Sequence, residues 1–169
     1  MERVLVIGAG GAGKTTLASV VAKRLDLPLI HLDAHYWRPG WTPTPVEEWE
    51  RVVEALIARP RWVMDGNYGG TLEMRLDACD SVIFLDLPRH VSLWRILKRW
   101  ARYWRRTRPD VAPGCPERLT WEFLRWVWTY PERRRGKILE RLRSLTGRRV
   151  IILSTPHDVR RFLADLQSD

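Results

Sequence analysis

The octapeptide Gly8-Ala9-Gly10-Gly11-Ala12-Gly13-Lys14-Thr15 satisfies the pattern G-x-x-x-x-G-K-[ST] at every position. Each residue type has a physical task. Glycines let successive backbone N–H groups curl around a phosphate, and a helix starting there adds its positive end. Lys14 has the reach for the β and γ oxygens of a nucleoside triphosphate, and the Thr15 hydroxyl is an Mg²⁺ ligand. Gly8, Gly10, Gly11, Ala12, Gly13, Lys14, Thr15 and Thr16 are therefore the expected contacts of ATP. Two acids complete the chemistry. Asp33 follows L-I-H-L and Asp65 follows R-W-V-M, each at the end of an apolar run. Asp65 has the setting of a carboxylate that holds Mg²⁺ through water. Asp33 is placed to take a proton from an acceptor hydroxyl or to orient the metal. The plain alternative for either is a helix or turn cap.

Such groups work only if the chain brings them to one edge. Arg3 to Ile7 is a short β-branched run ended by glycine, and reads as a buried strand. A helix is expected over Thr16–Leu25 and further strands over Leu29–Leu32, Trp62–Met64, Ser81–Leu85 and Val150–Leu153. The stretch 34–43 reads as a loop. Thr44, Pro45 and Glu47 predict an N-cap, a first helical residue and a capping box for a helix to about Ala58. Further helices are expected over Thr71–Ala78, His90–Arg106, Glu117–Tyr130 and Pro131–Leu145, and Thr155 to Asp158 carries the signal that opens a last one. Alternating strands and helices define an α/β fold with a mostly parallel sheet, at whose carboxyl edge ligands bind.

In the helix from His90, Leu93, Leu97, Trp100 and Trp104 recur at +4, +3 and +4, and Arg95, Arg99, Arg102 and Arg106 recur two residues later. That shift is about 200° of rotation, so the arginines are expected opposite the apolar stripe. Arg99, Arg106 and Arg108 lead into a Pro/Gly-rich insert and suit a cationic cover over a transferring phosphoryl group. Arg95 and Arg102 read as a solvated face. The ten tryptophans are expected mostly in the core, and the four histidines, which lack metal-ligand spacing, as structural or surface residues.

The 169 residues are one domain's worth of chain, with 45% hydrophobic and 29% charged residues. Two cysteines exclude a disulfide scaffold or a zinc cluster. No apolar run has the length of a membrane span or signal core, so a cytoplasmic protein without membrane contact is expected. The net charge is +9, and residues 89–149 hold 18 basic against 5 acidic residues. A field so localised favours an anionic partner. Nucleic acid is the second possibility, with the glycine loop as an ATP switch. An ATPase without a dedicated acceptor is a third.

The runs H-L-D-A-H-Y-W-R-P-G-W, W-V-M-D-G-N-Y, F-L-D-L-P-R and E-F-L-R-W-V-W-T-Y resemble the bacterial DNA topology modulation (FlaR-like) family of P-loop proteins, which is similar to adenylate kinase and related nucleotide kinases. The resemblance spans Val4 to about Leu163. It implies a three-layer P-loop kinase fold with five parallel strands in the order 2-3-1-4-5 and a helical lid over about 100–120. It implies ATP with Mg²⁺ and a small acceptor such as a nucleoside, nucleotide or metabolite. It also assigns Arg99 to the donor nucleotide, Arg106 and Arg108 to the lid, and Arg75 and Arg38 to the acceptor. Asp65-Gly66 matches the start of the kinases' D-G-F-P-R motif, while Asn67, Tyr68 and Gly69 depart from it. Lys14, Asp33, Arg99, Arg106 and Arg108 are thus the expected catalytic set, Asp33, Arg38, Asp65 and Arg75 the acceptor set, and Thr15 and Asp65 the metal set.

Overall fold

The β-branched runs of the chain become strands, all parallel, and each is followed by helix. In the computed structural model, which describes residues 1–166, β1 (Arg3–Gly8), β2 (Leu29–His31), β3 (Trp62–Asp65), β4 (Ser81–Leu85) and β5 (Arg149–Leu153) form one five-stranded sheet. Its order is β2-β3-β1-β4-β5, as expected, with β1 at the centre between β3 and β4. Side chains alternate across the pleat. Val4 and Val6 pack with Leu17, Ala18 and Val21 of α1 (Lys14–Leu25). Leu5 and Ile7 pack in the opposite layer with Trp49, Val53 and Leu56. Those three belong to α3 (Val46–Ile57), and the same layer holds Leu76 of α4 (Leu72–Ala78). The sheet is thus sandwiched between two helical layers, which fixes the carboxyl ends of β1, β2 and β3 on one edge.

Several boundaries differ from expectation for local reasons. Asp33 lies in a short helix, α2 (Leu32–Tyr36), and Trp37–Arg38 pairs with Thr42–Pro43 in a small antiparallel ribbon. The expected loop is therefore largely ordered. Thr44 does not cap α3. Its Oγ1 donates to the Tyr36 carbonyl at 2.6 Å, and the N-cap is Pro45. The helix from His90 ends early: α5 spans Arg89–Arg102, and Arg105 has a left-handed φ of 55°. α6 (Trp121–Tyr130) starts late, because Thr120 supplies the cap by accepting from the Phe123 N–H. Pro131 does not break the chain direction. It opens a π-helical stretch, Pro131–Arg135, that runs on into α7 (Gly136–Ser144). Proline has no N–H to give its preceding turn, and a widened turn absorbs that loss. α8 (Pro156–Asp165) opens with the expected capping box between Thr155 and Asp158. Among the described residues no helix is long and apolar enough to cross a membrane.

Candidate functional site

The glycine-rich turn joins β1 to α1 at the sheet's central carboxyl end. Gly8 has φ +147°, and a Cβ there would stand 2.5 Å from the Leu85 carbonyl oxygen. Gly11 has φ +77°, and a Cβ would strike Ser92 and Ile96 of α5. Only glycine permits both the turn and this close packing. The loop's internal bond runs from the Ala12 N–H to the Ala9 carbonyl. Among the described residues, the N–H groups of Gly10, Gly11, Gly13, Lys14, Thr15 and Thr16 donate to no protein acceptor. Six convergent donors at a helix start are what an anion requires.

Lys14 Nζ donates to the carbonyls of Gly8 and Ala9, each at 2.9 Å. Burial lowers its pKa, against the attraction of Asp33 and Asp65. Those acids sit across the same cleft, whose volume is about 1830 Å³. Asp65 ends β3, directly beside His31 of β2 in the register. His31 Nδ1 lies 2.7 Å from Asp65 Oδ1. This hydrogen bond raises the histidine's pKa, against the opposing effect of burial. The Tyr68 hydroxyl donates to Asp33 Oδ1 at 2.5 Å. Burial, then the charge of Asp33, raises the phenol's pKa, so it remains a donor.

The arginines divide into three groups. Arg99 donates through Nε to Glu117 Oε1 at 3.0 Å, and Arg108 lies against Glu117 Oε2 at 2.7 Å and Asp110 Oδ2 at 2.5 Å. Arg108 also stands 3.9 Å from Asp33 Oδ2. Burial, then the neighbouring Arg108 charge, lowers the pKa of Arg99. Arg99, Glu117, Arg108 and Asp33 thus form a chain of charges lining the cleft. Arg95, expected on a solvated face, instead donates to the Ala12 carbonyl at 2.6 Å. The face of α5 turned to the loop is Ser92, Arg95, Ile96 and Arg99, while Leu97 and Trp104 are exposed. Ser92 and Ile96 pack against Gly11 and Arg95 against Gly13, which reverses the expected orientation.

Three expected arginines lie elsewhere. Arg38 is exposed and bidentate to Glu48 at 2.5 and 2.6 Å. Arg75 is fully buried and donates to the carbonyls of Thr71, Gly66, Asn67 and Tyr68. Four of its five donors are thus engaged and it does not line the cleft, and burial lowers its pKa to about 10. It scaffolds the loop that carries Asn67 and Tyr68. Arg106 is exposed and its side chain is absent from the cleft wall. The departures from the kinase motif are useful here: Asn67 Oδ1 accepts from the Gly8 N–H at 3.1 Å, tying that loop to the glycine turn.

The insert 103–120 folds onto the ribbon. Gly40 N–H donates to the Gly114 carbonyl, Trp41 Nε1 to the Pro116 carbonyl and Cys115 Sγ to the Arg38 carbonyl. Val111, Ala112 and Cys115 pack against Trp37 and Trp41. Sequence reasoning missed His31, Tyr68, Arg95, Asp110 and Glu117. For His31 a signal was available, since it precedes Asp33 by two residues on the strand next to Asp65. Glu117 had none, because its partners come from 9 and 18 residues away through an irregular insert.

Thr15 and Asp65, the expected Mg²⁺ ligands, both line the cleft. No group of three or more His, Cys, Asp or Glu among the described residues forms an all-protein metal cage. Mg²⁺ characteristically takes one or two protein ligands and completes its shell with phosphate and water.

No known family model matches this chain. It is 26% identical over 131 residues to an uncharacterized protein, YqaC, of Bacillus subtilis (strain 168), covering 76% of this chain and 72% of that one. Among solved structures it is similar to a shikimate kinase from Acinetobacter baumannii in complex with shikimate, with a TM-score of 0.61 and 19% identity over 98% of this chain and 90% of the other. A gluconokinase from Sinorhizobium meliloti 1021 gives a TM-score of 0.58 and 17% identity over 99% and 92%. The fold is therefore the α/β fold of P-loop kinases. None of these comparisons supports the narrower resemblance to the DNA topology modulation family.

Proposed function

We propose that this protein transfers the γ-phosphoryl group of ATP, held with Mg²⁺, to a hydroxyl of a small acceptor. The observation that carries the reading is the set of N–H groups of Gly10, Gly11 and Gly13 to Thr16, without a protein acceptor among the described residues, in one cleft with Asp33 and Asp65. The loop amides and Lys14 bind the phosphates, and Thr15 with Asp65 would hold the metal. Mg²⁺ supplies charge neutralisation on the phosphate oxygens. Asp33 takes the acceptor proton as that oxygen bonds to the γ-phosphorus, the bond to the β-phosphate oxygen breaks and ADP leaves. Arg99 and Arg108 offset charge on the transferring group, and loss of such a cation costs about 10³-fold or more in rate. The insert 103–120 serves as the lid that excludes water. The structural kinship to shikimate kinase and gluconokinase supports a small-molecule acceptor.

Lys14→Ala should abolish product formation while leaving the circular dichroism spectrum intact, because Nζ bonds only to two loop carbonyls. Wild-type turnover in that variant removes the loop from the mechanism. A nucleic-acid partner remains the second reading, favoured by Trp94, Trp104, Trp121 and Trp128, all about half exposed or more within the basic stretch. It requires DNA affinity that falls steeply with salt.

A further inference from the structure

The charges at the acceptor end narrow the acceptor's chemistry. Asp33, Asp65, Asp110 and Glu117 line the cleft there, and Arg108 is surrounded by three of them. Arg99 is held by Glu117 as well. Two guanidiniums thus face three carboxylates within one network, and Asp65 is shared with His31. Both arginines expected at the acceptor are spent elsewhere. Arg38 points away to Glu48, and Arg75 is committed to four carbonyls.

What the cleft offers instead is aromatic. Tyr36, Trp37, Trp41 and Tyr68 line it. Tyr36 meets Trp37 edge-on with centroids 4.9 Å apart, and Trp37 meets Trp41 at 5.3 Å. Such edge-to-face rings give an apolar wall, and the carboxylates beside them accept from hydroxyls in strong, charge-assisted bonds. A phosphate or carboxylate brought against Asp33 would face like charge, and the two guanidiniums of that network are already paired. Of the cations that line the cleft, Arg118 lies at this rim with its guanidinium 5.2 Å over the Trp41 ring.

Resting on the phosphotransferase reading, we propose that the acceptor is an uncharged hydroxyl compound of the sugar, polyol or nucleoside type, not one bearing a phosphate or carboxylate. Its hydroxyls donate to Asp33 and its neighbours, and its ring or chain lies on the tryptophan wall.

The test is a panel of matched sets. Each neutral sugar, polyol or nucleoside is offered with its monophosphate and its carboxylic acid, with ATP and Mg²⁺, and phosphorylated product is followed by ³¹P NMR. At least one neutral member should be converted with kcat/KM about tenfold or more above its charged counterparts. Asp110→Asn, which releases one hold on Arg108, should shrink that preference several-fold. Preference for a charged member overturns the inference, as does a panel in which no neutral compound is converted or an Asp110→Asn preference equal to wild type. An anionic preference that disappears in Arg118→Ala would show that the rim arginine overrides the carboxylates. ATP affinity, measured separately by calorimetry, distinguishes the failures. No ATP binding removes the phosphotransferase reading and the inference with it, while intact ATP binding with an anionic preference removes the inference alone.

Discussion

Asp33 is held at one oxygen by the Tyr68 phenol and approached at the other by Arg108. Both contacts aim the carboxylate into the cleft. Asp33→Asn preserves the shape and the phenol contact but removes the base. Its kcat should fall about 10²- to 10⁴-fold, with ATP affinity by calorimetry unchanged. Undiminished turnover would remove Asp33 from proton transfer. His31 gives a pH signature with a defined sign. Its folded pKa is raised above 6.5 by the hydrogen bond to Asp65. The stability it contributes is therefore full below about pH 6.5 and lost as pH rises through the folded value. Thermal melts of wild type and His31→Gln should differ most on the acid side and converge on the alkaline side. A gap that is constant, or that widens with pH, contradicts the pairing.

Glu117 joins an arginine of α5 to an arginine of the insert, with only 3% of its side chain exposed. Removing one partner of a buried ion pair costs about 3–5 kcal/mol, because the remaining charge is stranded. In Glu117→Ala that cost is expected to fall on the docking of the insert rather than on the sheet. Trypsin should then cut at Arg105 or Arg106 much faster, with little change in the main melting transition. Turnover should drop by about 100-fold through misplacement of Arg99 and Arg108. Protection equal to wild type would show that the pair does not hold the insert. The same elements show what could be read from the chain. The strands, the glycine loop and the strand-end position of both acids were legible, because β-branched runs, glycines and acids act locally, whereas the strand order came from the family resemblance. The orientation of α5 was not. Its stripe of Leu93, Leu97, Trp100 and Trp104 has the spacing of a core face, yet Ile96 and Ser92 are the buried residues, since the partner surface is a glycine loop with almost no room. Arg75 was legible as important but not as scaffold, because its four acceptors are backbone carbonyls, which carry no signature in the sequence.

Across the whole molecule the hydrophobic material is divided unevenly. Trp49 and Trp62 are buried in the layer beneath β1, whereas Trp94, Trp104, Trp121, Trp126 and Trp128 are exposed on α5, α6 and the insert. The expectation that most tryptophans are core residues fails there, and the basic half carries an amphipathic surface. The central strands β1, β3 and β4 are almost wholly buried, while the segment that covers the cleft is joined to the ribbon by three hydrogen bonds and a small apolar cluster. Opening of that seam should therefore cost less than global unfolding. Cys115 lies in the seam with 1% exposure, while Cys79 is locked in the core with its thiol pushed up to about 11. The natural protein thus contains its own stopwatch. Under native conditions a thiol reagent should label one cysteine per chain, at a rate that levels off with reagent concentration at the frequency with which the cover lifts, and ATP together with a true co-substrate should slow the tick.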